Sequence, residues 1–77
     1  MLIKVKLHSA LRTRLPAESK GATTLDLPED SDIAAVIDYF DLPGYVLVTI
    51  NGQIERERGR RLREADKLDV FLPASGG

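Results

Sequence analysis

The residues of this chain whose types and spacing best suggest a reaction are its last six, LPASGG: Leu72, Pro73, Ala74, Ser75, Gly76 and Gly77. Gly76 and Gly77 lack a Cβ, so their backbone can pass a channel too narrow for side chains and adopt angles closed to other residues. A carboxylate on Gly77, with a reference pKa of about 3.3 to 3.7, is ionised at neutral pH and a poor electrophile. A partner holding ATP and Mg²⁺ would make its oxygen a leaving group by forming an acyl-adenylate. Sulfide or a persulfide attacking that adenylate leaves a thiocarboxylate; a lysine amine attacking it leaves an isopeptide bond. Both outcomes are open to these residues. The chain itself is expected to bind no cofactor and no metal.

The rest of the sequence offers little competing chemistry. There is no cysteine, which excludes a disulfide scaffold, a zinc finger and a thiol enzyme. His8 is the sole histidine and reads as a surface residue with no nearby carboxylate motif. No serine or threonine sits in a nucleophile elbow, and Gly76 and Gly77 precede no helix that could hold phosphate. Residues 55–66 carry five arginines, but four acids share the segment and no aromatic interleaves them, so a solvated loop with local ion pairs is expected instead of a base-stacking surface. The acids Asp26, Glu29, Asp30, Asp32, Asp38 and Asp41 read as a solubilising face. With eleven Lys and Arg against twelve Asp and Glu, the net charge of -1 argues against nucleic acid or an anionic membrane as partner. No apolar run is long enough to span a bilayer, and a cytoplasmic location is expected.

A tail needs a body to present it, and 77 residues can build one small core. LIKVKLH alternates Ile3, Val5 and Leu7 with Lys4, Lys6 and His8, the period of a half-buried strand. Residues 9–20 read as loop with a short turn ending near Pro16. TTLDLP reads as a short second strand that pairs with the first. After it, Ile33, Val36, Ile37 and Phe40 fall at helical spacing, with Ser31 or Asp30 as cap and Asp32 complementing the helix dipole. Pro43 and Gly44 end that helix. In YVLVTINGQIERE, Asn51 and Gly52 mark a tight hairpin turn. Residues 56–63 have Leu62 as their one apolar anchor. The last strand, KLDVFL, turns Leu68, Val70 and Leu72 inward and Asp69 and Phe71 outward. Phe71 must then be covered by a loop or left for a partner. Tyr39 and Tyr45 are expected at the edge of the core. The two terminal strands, rich in inward aliphatics, should lie side by side in the middle of the sheet. The class expected is α+β, a mixed sheet of four to five strands with one main helix packed across it.

This order of elements, VTING at residues 48–52, the Leu11 and Arg12 pair after the first strand, and LPASGG together resemble the MoaD/ThiS family of ubiquitin-like sulfur carriers, the β-grasp proteins. The resemblance covers essentially the whole chain and implies a β-grasp domain over residues 1–72 with a flexible tail over residues 73–77. It implies that a MoeB/ThiF-type enzyme adenylates Gly77 and that a sulfur donor such as a cysteine desulfurase or rhodanese then converts it to a thiocarboxylate. As the small subunit of a molybdopterin synthase, the chain would pass Pro73, Ala74, Ser75 and Gly76 into a MoaE-type large subunit, with Phe71 and Leu72 as docking residues. It would serve as a protein cosubstrate and not as an enzyme by itself. Sulfur supply to thiamine thiazole or to tRNA, and protein modification through Gly77, are the alternatives within the same resemblance. Two residues depart from the family pattern: Leu72 stands where many small subunits have a first proline, and Ala65 replaces the common glycine before Asp66.

Overall fold

The computed structural model describes residues 1–73. Strand β1 (Leu2–Leu7) is followed by two 3-10 helices (Ser9–Arg14 and Ala17–Ser19), strand β2 (Ala22–Asp26), helix α1 (Ile33–Tyr39), strands β3 (Leu47–Ile50) and β4 (Gln53–Ile54), and strand β5 (Lys67–Phe71). The sheet runs in the order β2-β1-β5-β3-β4, so the two terminal strands are central, as their aliphatic content requires. β1 and β5 are parallel; the other neighbours are antiparallel. The result is an α+β mixed sheet of five strands.

Alternation decides which way each strand faces. Ile3, Val5 and Leu7 of β1, Val48 and Ile50 of β3, and Leu68 and Val70 of β5 all turn to one face and are buried. Ile33, Val36 and Ile37 of α1 and its C-cap residue Phe40 close the same cluster. Each fully buried aliphatic contributes about 1.5 to 3 kcal/mol relative to exposure, so this face holds the domain together. Among the described residues no polar or charged side chain is buried. No described helix is long and apolar enough to cross a membrane.

Three local readings need correction. Residues 9–20 are largely helical, because Leu11 is buried as an anchor and successive turns of 3-10 geometry carry the chain round it. The helix cap is Asp32, whose Oδ1 accepts from the Ala35 amide at 2.9 Å. Ser31 is occupied elsewhere, its hydroxyl donating to the Pro28 carbonyl at 2.7 Å. Tyr39 and Tyr45 are exposed, at 64% and 69%. Tyr39 precedes Phe40, and one residue turns about 100° around a helix, which takes it off the buried stripe. The hairpin is as expected: Asn51 and Gly52 both have positive φ, at 51° and 88°.

Candidate functional site

The site of interest is where β5 releases the chain. Phe71, the last residue of the strand, is half-buried on the open face of the sheet. Leu72 turns inward and packs partly buried against the core, and Pro73 is exposed. Proline has no N–H to donate, so the ladder ends there. The remaining expected site residues, Ala74, Ser75, Gly76 and Gly77, lie outside the described residues.

Phe71 does not stand alone. The His8 imidazole stacks on its ring at a centroid distance of 4.2 Å and an interplanar angle of 15°. His8 Nε2 also lies 2.8 Å from Asp69 Oδ2, and its main-chain amide donates to the Val70 carbonyl at 3.0 Å. The reading of His8 as a lone surface residue is therefore corrected: its carboxylate partner is 61 positions away in sequence. Parallel pairing is the cause. It sets Lys6 beside Asp69 and Leu7 beside Val70, so His8, the residue just after β1, comes level with Phe71, with Asp69 the adjacent outward residue of β5. A planar platform of imidazole and phenyl thus flanks the release point. Leu47 is the partner of Phe71 across β3, and Ile54 of β4 is exposed nearby on the same face, two registers along.

On the other side of the release point, Pro73 lines a cleft of about 340 Å³ with Tyr45, Leu47, Glu55, Arg56 and Arg58. The sequence pattern did not connect these arginines with the tail. It anticipated local ion pairs: among the described residues one is present, Arg60 to Glu55 at 2.8 Å, while Arg61 reaches outside the segment to Asp30 at 3.6 Å. The stretch is also held by its main chain. The Arg60 and Arg58 carbonyls accept from the Ile33 and Ala34 amides at 3.2 and 3.0 Å, which satisfies donors that a helix leaves unpaired at its first turn. The Arg58 guanidinium donates to the Val46 and Gly44 carbonyls, in the segment that leads into β3. The Glu57 amide, and next the Arg60 guanidinium, hold the Glu55 carboxyl below the usual range. Their preference for the carboxylate is in full force above the ordinary glutamate range and is lost as pH falls through the lowered value.

Chemically, the described part of the site can grip and orient. It offers an aromatic platform, a cleft flanked by two guanidinium groups, and a strand end fixed in the middle of the sheet. Among the described residues no cluster of three or more His, Asp or Glu is placed to hold a metal ion.

No protein-family model matches the sequence, and no curated protein matches it. Solved structures do match in fold. SAMP1 from Haloferax volcanii is 19% identical over all of both chains, with a TM-score of 0.72. A putative molybdopterin converting factor subunit 1 from Pyrococcus furiosus is 18% identical over 96% of this chain and 99% of its own, with a TM-score of 0.75. A chain from the complex of subunits 1 and 2 of the molybdopterin-converting factor of Helicobacter pylori is 12% identical over all of both chains, with a TM-score of 0.66. This chain therefore has the ubiquitin-like β-grasp fold of those proteins.

Proposed function

We propose that this ubiquitin-like domain is a sulfur carrier that works through the carboxyl group of Gly77. The observation that carries the reading is the placing of the sequence Ser75, Gly76, Gly77 a few residues beyond β5, a central strand of a β-grasp sheet. A MoeB/ThiF-type partner binding ATP and Mg²⁺ directs the Gly77 carboxylate onto the α-phosphorus; pyrophosphate leaves and an acyl-adenylate forms. Sulfide, or the terminal sulfur of a persulfide followed by reductive release, displaces AMP and leaves the thiocarboxylate. The thiocarboxylate sulfur then displaces an oxygen leaving group from a carbon of the acceptor, forming a thioester bridge, and water cleaves the acyl–sulfur bond, so the sulfur stays on the acceptor and the Gly77 carboxylate is restored. Within this scheme Phe71 docks the partner, Leu72 ties the tail root to the core, and Pro73, Ala74, Ser75 and Gly76 enter the partner's channel. The chain acts as a cosubstrate. Its own residues position the tail and do not catalyse.

The acceptor favoured is the dithiolene sulfur site of the pterin cofactor, with a MoaE-type large subunit as second partner. Support comes from the fold shared with two molybdopterin-converting subunits, one of them in complex with its second subunit. Protein modification is the second reading, favoured by the fold shared with a small archaeal modifier protein. Incubation with a MoeB-type enzyme, ATP and sulfide, followed by intact-mass measurement, should show one oxygen replaced by sulfur on the peptide ending in Gly77. An unchanged mass across several such activating enzymes would overturn the carrier reading. Branched Gly-Gly remnants on lysines of other proteins would shift it to the modifier.

A further inference from the structure

The open face of the sheet carries a concentration of positive charge that the tail does not use. Lys4 and Lys67 are direct neighbours across β1 and β5, and Lys6 follows on β1. All three are exposed and line one cavity of about 360 Å³ with Ala22, Thr23 and Thr24 of β2. Like charges directly opposite one another destabilise a sheet, so the arrangement has a standing cost. The carboxylates around it are engaged elsewhere. Asp69 is on His8 at 2.8 Å, Asp66 accepts from Asn51 Nδ2 and the Arg63 amide at 3.0 and 2.8 Å, and Glu64 accepts from the Leu2 amide at 3.0 Å. Among the described residues none of the three lysines is in an ion pair.

β2, beside these lysines, is an edge strand. The Leu7 amide donates to the Gly21 carbonyl, and the Leu27 amide to the Met1 carbonyl. Antiparallel hydrogen-bonded pairs alternate, so Thr23 and Leu25 pair inward with β1, and the main-chain groups of Ala22, Thr24 and Asp26 point outward. No described backbone group bonds to them. Natural edges are usually guarded by charged side chains, Pro or a bulge; ATTLD runs in unbroken register with a single charge, Asp26 at its end and 3.4 Å from the N-terminal ammonium, while Ala22 and Thr24 carry none.

From these two features together we propose that β2 accepts an acidic, extended peptide segment of a partner protein as a sixth strand. The peptide's main chain pairs with Ala22 and Thr24, and its glutamates on the open face meet Lys4 and Lys6. A sixth strand lies about 10 Å from β1 at the usual strand spacing, a gap that a glutamate and a lysine close together. Lys67, one strand further, adds to the field. A nucleic acid or polyphosphate suits the site less well: the whole chain is at -1, and an edge of alternating N–H and C=O groups is matched by another polypeptide backbone. The site is independent of the chemistry at Gly77.

The test uses the full 77-residue chain and its amide NMR spectrum. Titration with a synthetic peptide of alternating glutamate and valine should give saturable shifts at Ala22, Thr24, Lys4 and Lys6. The Lys4→Ala/Lys6→Ala double variant should bind about tenfold more weakly, two exposed charge pairs being lost. Thr24→Pro, which removes an outward N–H with every charge kept, should abolish binding. N-methylating alternate residues of the peptide should do the same with the protein untouched, should that variant not fold. The proposal is overturned if the shifts are absent, if a lysine-valine peptide binds equally, or if inorganic polyphosphate reproduces the shifts and N-methylation changes nothing. The last result would mark a general anion patch.

Discussion

Along β5, Leu68 and Val70 turn into the helix-covered face and are fully buried, while Lys67, Asp69 and Phe71 turn to the open face and keep contact with solvent. The buried face is aliphatic and shape alone specifies it. The open face mixes like-charged neighbours, an imidazole held by a carboxylate, and an aromatic ring with one side free of the imidazole. Such a mixture is a poor way to stabilise a sheet and a good way to recognise something. The comparison teaches that stability and recognition are divided between the two sides of the same strands, one residue apart. It also makes the division testable, since adjacent substitutions should give effects of different kinds.

The largest effect should come from the buried face. Leu68→Ala removes a fully buried side chain and should cost about 2 to 5 kcal/mol. A domain of this size has roughly 4 to 12 kcal/mol in total, so urea denaturation should show a much lower midpoint or outright unfolding. A loss under about 1 kcal/mol would mean that the helix-covered face is not the seat of stability.

That face was the legible part of the sequence. Period-2 alternation in β1 and β5, the helical spacing of Ile33, Val36, Ile37 and Phe40, and the Asn51 and Gly52 turn each announce themselves within a few residues. The connections were not legible for a physical reason. The arginine-rich stretch is held by the Arg58 and Arg60 carbonyls on helix amides, and a carbonyl has the same form in every residue. The His8, Asp69 and Phe71 cluster lay between these extremes. All three outward positions and the pairing of terminal strands were readable, and the register that joins them required coordinates.

Phe71→Ala should be the converse of Leu68→Ala. Loss of the stacked pair with His8 should cost about 1 kcal/mol of stability, leaving the domain folded. If Phe71 docks the activating partner, kcat/KM for adenylation should fall about tenfold or more, since aromatic anchors carry a large share of interface energy. An unaltered kcat/KM would remove Phe71 from the docking surface, and a loss of stability like that of Leu68→Ala would dissolve the distinction between the faces.

Strain in the connection leading to β5 is a third quantity, separate from either face. Ala65 has φ of 70°, in the left-handed region that favours glycine, and its amide donates to the Leu2 carbonyl at 2.8 Å. A side chain held in that region carries a local cost. Ala65→Gly should relieve about 1 to 2 kcal/mol of left-handed strain and, after about 0.5 to 1 kcal/mol for the added freedom of glycine in the unfolded chain, raise stability by about 0.5 to 1 kcal/mol net. Thermal melts should show the gain with partner binding unchanged. A fall in stability would mean that the alanine side chain is used in packing.

The smallest effect tests whether the open face is maintained against stability. Lys67→Thr removes one of two ammonium groups that face each other across β1 and β5 and should stabilise the domain by a few tenths of a kcal/mol at low salt. Threonine also favours strands, so the gain alone does not isolate charge. Salt does: the Debye length falls from about 10 Å at 0.1 M to about 3 Å at 1 M, so the repulsive part should fade over that range while the strand preference persists. Urea midpoints at the two salt concentrations separate the parts. A gain that shrinks with salt identifies Lys4 and Lys67 as charges held together at the fold's expense. A loss at both concentrations would instead make Lys67 structural through its aliphatic stem, and the open face would then share the work of the buried one.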